Sequence, residues 1–313
     1  MESSVYPQIT PFNKGGLQVD ETHEIYFEES GNPRGYPVFF FHGGPGSRVR
    51  EYHRRYFDPN FYRVVLFDQR GCGKSSPRGH TFQNTTQKLI SDVDRLREHL
   101  SIKQFLVFGG SWGSTLGVSY ALEHPNRVSG LLLRGVFLAR KSEIEWYLDG
   151  IRNFLPDTID RIRRGTVEDT IKYYYDGVFG QDNEKAMLLA GEWSAYEASL
   201  MKIGSNEQPS SKIEKIDIDD FLSAKIQLHY MLNDCFVDGI EMLDGVAKLK
   251  MKTIIVQGRL DMVCPPVTAY ELANSLPNAE LRIVENGGHS GSQPEIAREL
   301  RKATDDFKEV FQS

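Results

Sequence analysis

The chain has 313 residues, 26% of them charged and 40% in the hydrophobic class, with a formal net charge of −6. That is the balance of a globular protein with room for one large core and an inserted lobe, and its acidity argues against a nucleic-acid partner, which needs a face dense in Lys and Arg. Apolar runs such as Val38-Phe39-Phe40-Phe41 fall far short of the roughly 20 residues of a membrane span, so no membrane partner is expected.

Met1-Glu2-Ser3-Ser4 shows no basic stretch followed by an apolar one, so no secretory leader is read there. A run around 17–20 is expected to pair with 23–28 as an antiparallel hairpin. Short β-rich runs follow near 37–41, 63–67, 104–108, 128–133, 252–257 and 280–284, alternating with helical stretches. Phe105-Leu106-Val107-Phe108 and Thr253-Ile254-Ile255-Val256 are continuously apolar, as strands covered on both faces should be. The expected class is therefore α/β, with a mostly parallel eight-stranded sheet and helices on both faces.

The spacing breaks between Leu133 and Lys252, where more than a hundred residues have helical composition. That is too long for a loop in a compact domain. Stretches 142–154, 184–202 and 218–232 carry apolar residues at three- and four-residue spacing and read as helices with one buried face. Polar Gly204 to Lys212 reads as a loop among them. The expected organisation is a core over 1–139, a helical cap over 140–247, and the rest of the core over 248–313. Three cysteines, Cys72, Cys235 and Cys264, are odd in number and lack C-x-x-C spacing. They read as free thiols in a reducing compartment, and the expected location is cytoplasmic.

Gly109-Gly110-Ser111-Trp112-Gly113 fits G-x-S-x-G directly after the strand at 104–108 and before a helical stretch from Ser114 to Glu123. This is the context in which a sharp turn lifts a serine hydroxyl above a sheet, and it makes Ser111 the candidate nucleophile. In α/β-hydrolases the order along the chain is serine, acid, histidine. Asp261, just past the run at 253–256, and His289, just past 281–284, supply that order from loops beyond strand ends. His289 reads as the general base and Asp261 as its orienting acid. Two N–H groups must meet the developing oxyanion; Trp112 and Gly43, in His42-Gly43-Gly44-Pro45-Gly46, are the candidates. His42 reads as a structural support of that loop.

Asp68-Gln69-Arg70-Gly71-Cys72-Gly73-Lys74-Ser75 ends like a phosphate-binding loop, but an aspartate stands where the first glycine belongs. It reads as a structural loop pinned by Asp68 and Arg70. No cluster of histidine, cysteine and carboxylate has ligand spacing, so no metal is expected.

Together, His42 to Gly46, Asp68 to Ser75, Gly109 to Ser114, Arg134 to Phe137, Gly258 to Asp261 and Gly287 to Ser290 resemble the proline iminopeptidases. The resemblance runs through nearly the whole chain. It implies cofactor-free release of N-terminal proline from small peptides through an acyl-enzyme. It also implies an aromatic box for the prolyl ring from Phe137, Trp146 and Tyr147, although packing between cap and core is an equal alternative for each. Glu197 falls where the family has an amine-binding glutamate, and the Gly44 carbonyl is a candidate second acceptor. The family's second glutamate is replaced by Gln227, in Gln227-Leu228-His229-Tyr230-Met231. A neutral acceptor there implies a weaker grip on the substrate amine. An esterase, amidase or lactonase of relaxed specificity is the alternative, and a non-catalytic receptor the remote one.

Overall fold

The computed structural model describes residues 4–203 and 216–312; the loop read at Gly204 to Lys212 lies outside them. Eight strands form one sheet: β1 (Asn13–Gln18), β2 (Glu24–Gly31), β3 (Tyr36–Phe41), β4 (Tyr62–Phe67), β5 (Phe105–Gly110), β6 (Val128–Arg134), β7 (Lys252–Gly258) and β8 (Ala279–Val284). Their spatial order is β1-β2-β4-β3-β5-β6-β7-β8. The pairs β1–β2 and β2–β4 are antiparallel, and every later pair is parallel. The mostly parallel sheet and its inserted helices match the expected class. The N-terminal hairpin forms as well, but β1 lies earlier than the run at 17–20.

Alternation along the strands divides the core between two faces. Phe39, Phe41, Val65, Phe67, Phe105, Val107, Leu131, Leu133 and Ile255 face one way. They pack on α1 (Thr86–His99), α2 (Trp112–Glu123) and α9 (Pro266–Ser275). Val38, Phe40, Val64, Leu66, Leu106, Phe108, Leu132, Ile254 and Val256 face the other way, onto α10 (Pro294–Gln312). In α10 the apolar residues Ile296, Leu300, Ala303 and Phe307 recur at three- and four-residue spacing and are fully buried. The Phe307 ring fills the space left by Gly130, where a Cβ would meet Phe307 Cε1 at 2.5 Å. Truncating such a ring to alanine typically costs about 3–5 kcal/mol.

Between β6 and β7 run α3 (Lys141–Leu148), α4 (Pro156–Ile162), α5 (Val167–Val178), α6 (Asn183–Met201), α7 (Ile218–Leu232) and α8 (Gly239–Gly245). Their starts are fixed locally. Thr166 and Asp169 form a capping box on α5, and Asp182 and Asp217 accept from backbone N–H groups in the first turns of α6 and α7. Helices α5, α6 and α7 enclose a third apolar cluster around Tyr174, Trp193, Leu200 and Leu228. Beyond α7 the chain returns to the sheet layer, where Cys235, Met242 and Val246 join the large core cluster.

Two polar contacts and an ion-pair cluster tie α7 to the core. His229 Nε2 donates to the Asn84 carbonyl at 2.9 Å and the Tyr230 hydroxyl to Asn84 Oδ1 at 2.8 Å. Asp219, in the first turn of α7, pairs with both Arg48 and Arg78. The loop from Asp68 to Ser75 is structural. Asp68 accepts from the N–H groups of Val49 at 2.7 Å and Lys74 at 2.8 Å, and the Arg70 guanidinium forks onto Asp92.

Candidate active site

Ser111 sits between β5 and α2 at φ 56°, ψ −128°, a left-handed conformation that side chains rarely adopt. The neighbouring glycines make this turn sterically possible. A Cβ on Gly109 would lie 2.2 Å from the Gly113 carbonyl oxygen, and one on Gly113 would lie 2.0 Å from that of Phe41. The Ser111 N–H donates to the Arg134 carbonyl at 2.8 Å, which anchors the turn to β6.

The loops after β7 and β8 bring the other two predicted members to the serine. His289 Nε2 lies 3.1 Å from Ser111 Oγ. His289 Nδ1 lies 2.9 and 2.8 Å from the two Asp261 carboxylate oxygens. With Nδ1–H donated to Asp261, Nε2 carries the lone pair that can accept the serine proton. Both His289 and Asp261 are buried, whereas Ser111 is part-exposed. Asp261 Oδ1 accepts from the backbone N–H groups of Val263 at 3.0 Å and Cys264 at 2.8 Å.

Sequence reasoning missed Gln257. This fully buried residue at the end of β7 donates from Nε2 to Asp261 Oδ2 at 3.2 Å and to the Cys264 carbonyl at 2.9 Å. Its Oε1 accepts from the Val136 N–H at 3.1 Å. The available signal was one amide in an otherwise apolar strand, where a buried polar group must find partners. Arg134 closes β6. Its Nη1 donates to the His289 carbonyl at 2.6 Å and lies 3.3 Å from His289 Nε2.

Trp112 is the first residue of α2, so its N–H has no acceptor within the helix. Gly43 flanks the serine from the other side; a Cβ there would lie 3.2 Å from Ser111 Cβ. His42 braces this loop. Its Nδ1 lies 2.9 Å from the Gly43 carbonyl, and its Nε2 accepts from the Gln69 N–H at 3.0 Å. Burial lowers the His42 pKa and so favours the neutral ring that these bonds require. Gln69 also accepts the Trp112 indole N–H at 2.9 Å, linking both sides of the candidate oxyanion hole. Gly44 follows in the same loop at φ 114°.

Phe137, Trp146 and Tyr147 belong to or pack against one apolar cluster. Tyr147, Glu197 and Gln227 gather around Trp193. The Trp193 indole donates to Gln227 Oε1 at 2.5 Å, and Gln227 Nε2 donates to Glu197 Oε1 at 3.4 Å. The Gln227 oxygen thus meets the indole, and its nitrogen faces the carboxylate. The Tyr147 ring meets those of Tyr196 and Trp193, with centroids 5.3 and 6.3 Å away, and its buried hydroxyl has no hydrogen-bond partner among the described residues. Cys264 lies beside Ser111. Phe137 touches both the core and the cap clusters. Trp146 packs against the same apolar cluster, donates its indole N–H to the Met262 carbonyl at 2.9 Å and meets the ring of Phe154.

Residues 36–292 match the family model of the alpha/beta hydrolase fold. A proline iminopeptidase of Arabidopsis thaliana is 42% identical over 98% of this chain and 83% of its own length. One from Neisseria gonorrhoeae is 40% identical over 95% of this chain and 96% of its own. The chain belongs to the proline iminopeptidase family of α/β-hydrolases. A solved esterase from Exiguobacterium antarcticum, 21% identical with a TM-score of 0.64 over 95% of this chain and 99% of its own, shares the fold. Among the described residues, no helix is long and apolar enough to cross a membrane.

Proposed function

We propose that the chain is a serine exopeptidase that releases N-terminal proline from short peptides, as the names of its relatives indicate. Ser111 Oγ attacks the prolyl carbonyl while His289 Nε2 takes its proton. Asp261 holds the ring and stabilises the imidazolium, and the N–H groups of Gly43 and Trp112 receive the oxyanion. When the tetrahedral intermediate collapses, the C–N bond breaks and His289 gives the proton to the departing amine. Water, activated by the same histidine, then hydrolyses the prolyl ester and frees Ser111.

The observation that supports the substrate reading is the part-buried Glu197 carboxylate, 3.4 Å from the Gln227 amide that the Trp193 indole holds. An amino-terminal proline is largely protonated near neutral pH. A part-buried carboxylate complements that cation, and the unpartnered Tyr147 hydroxyl offers a further bond to a ligand. A blocked amine has no charge to pair with Glu197.

The test compares proline-β-naphthylamide with alanine-β-naphthylamide, N-blocked proline-β-naphthylamide and p-nitrophenyl acetate, with Ser111→Ala as the control. The expected result is a preference of orders of magnitude for free proline amide, an inert blocked form, and total loss in the alanine variant. If the acetate ester is the best substrate, or blocking the amine changes nothing, the protein is an esterase or amidase instead.

A further inference from the structure

The Arg134 guanidinium has no assigned role in the chemistry above, yet its Nη1 stands 3.3 Å from the nitrogen that must accept the serine proton. Among the described residues, its side-chain hydrogen bonds go to His289, and no carboxylate pairs with it. The residue is part-exposed, like Ser111 beside it, and its guanidinium lies against Gly110, where a Cβ would meet Nη2 at 2.6 Å. Arginine stays charged at any working pH. The arrangement holds the histidine loop through its carbonyl and leaves the guanidinium without an anionic partner among the described residues.

An anion delivered by the substrate would supply that partner. We infer that Arg134 binds the free carboxylate of a one-residue leaving group, which makes prolyl dipeptides the preferred substrates. The inference rests on the exopeptidase reading of the site. To take the proton from Nε2, the departing nitrogen must come within about 3 Å of it. In a dipeptide the carboxylate oxygens lie within about 4 Å of that nitrogen, given ordinary N–Cα, Cα–C and C–O bond lengths. They can therefore be placed against Arg134, whose Nη1 lies 3.3 Å from the same Nε2. Guanidinium and carboxylate form a charge-assisted, potentially bidentate pair. This pair forms next to the imidazolium in the transition state, so its effect should fall on kcat as well as on KM. A C-terminal amide brings no charge, and a longer peptide carries its carboxylate farther from the arginine.

The test measures kcat and KM for prolylglycine, prolylglycinamide and prolylglycylglycine with the wild-type protein, Arg134→Gln and Arg134→Lys. Prolylglycine should exceed prolylglycinamide by about tenfold in kcat/KM in the wild type, with kcat contributing. The tripeptide should resemble the amide. Arg134→Gln, which can still donate to the His289 carbonyl, should bring the dipeptide-to-amide ratio to about 1, whereas Arg134→Lys should retain part of it. A ratio near 1 in the wild type overturns the inference whether or not the variants fold, and so does a wild-type ratio that survives in Arg134→Gln. If no prolyl compound is hydrolysed while p-nitrophenyl acetate still acylates Ser111, the exopeptidase reading fails and this inference falls with it. Turnover of prolylglycinamide without a dipeptide advantage overturns this inference alone.

Discussion

The Trp193 indole N–H donates to Gln227 Oε1 at 2.5 Å and thereby turns the Gln227 amide nitrogen towards Glu197. Gln227 orients the candidate amine-binding carboxylate and adds no charge of its own. In Gln227→Glu one oxygen can still accept from Trp193, while the new charge joins Glu197 and needs a cation between them. At pH 8, KM for proline-β-naphthylamide should fall by about tenfold, the difference between charged and neutral hydrogen bonding, with kcat nearly constant. An unchanged KM would show that the amine is bound elsewhere.

Burial pushes the Glu197 pKa from its ordinary 4.5 up to about 6, against the lowering effect of the Gln227 amide. Above that value the carboxylate is charged and can hold an ammonium; below it the charge is lost. KM for free-amine substrates should therefore rise as pH falls through about 6, whereas hydrolysis of p-nitrophenyl acetate should not show this step. Parallel pH profiles for the two substrates would remove Glu197 from the amine site.

The same shift makes a stability prediction of opposite sign to the kinetic one. A folded-state pKa above the unfolded value stabilises the fold below about 4.5, and that contribution is lost as pH rises through about 6. Glu197→Gln should therefore raise unfolding free energy at pH 8 by about 1–2 kcal/mol, one pKa unit being ~1.36 kcal/mol, while weakening substrate binding. Urea denaturation of both proteins at pH 8 and pH 4 measures this; the difference should shrink at the lower pH.

Gln257 touches no position expected for substrate, yet it supports Asp261 and the Val136 N–H together. Gln257→Leu should lower kcat by about 10–100-fold, since small misplacements of a catalytic group have effects of that order. KM should hardly change. Leaving the Val136 N–H unpaired should also cost about 1–3 kcal/mol of stability. Steady-state kinetics and thermal unfolding would separate the two effects, and full activity in the variant would end its positioning role.

Burial pushes the Cys264 and Cys72 thiols well above their usual range, and both are nearly inaccessible. Thiolate is the reactive form. Iodoacetamide at pH 8 should leave the folded protein active for hours, despite the nearness of Cys264 to Ser111. Rapid inactivation that disappears in Cys264→Ala would contradict this.

The sheet and triad were legible because they obey local rules. The parallel strands are continuous apolar runs, and the motif around Ser111 and the chain order of Asp261 and His289 are visible without tertiary information. Strand β1 was harder to place because Asn13, Lys14, Gly15 and Gly16 carry no apolar alternation and pair only because β2 presents an edge. The orientation of Gln227 was illegible for another reason. Which end of an amide faces a carboxylate depends on a third residue, Trp193, 34 positions away in sequence. Arg134 and Gln257 acquire their meaning only when β6 and β7 lie side by side.

Ser111 at φ 56° has a consequence for the economy of the fold. A side chain in the left-handed region costs roughly 1–2 kcal/mol, and glycine escapes that cost while losing about 0.4–1 kcal/mol through its looser unfolded chain. The inert Ser111→Gly protein should therefore melt slightly above the wild type, while Ser111→Ala should not. By this account the hydroxyl is kept at some expense in durability, and sequences drifting away from catalysis at this position would be free to become more stable.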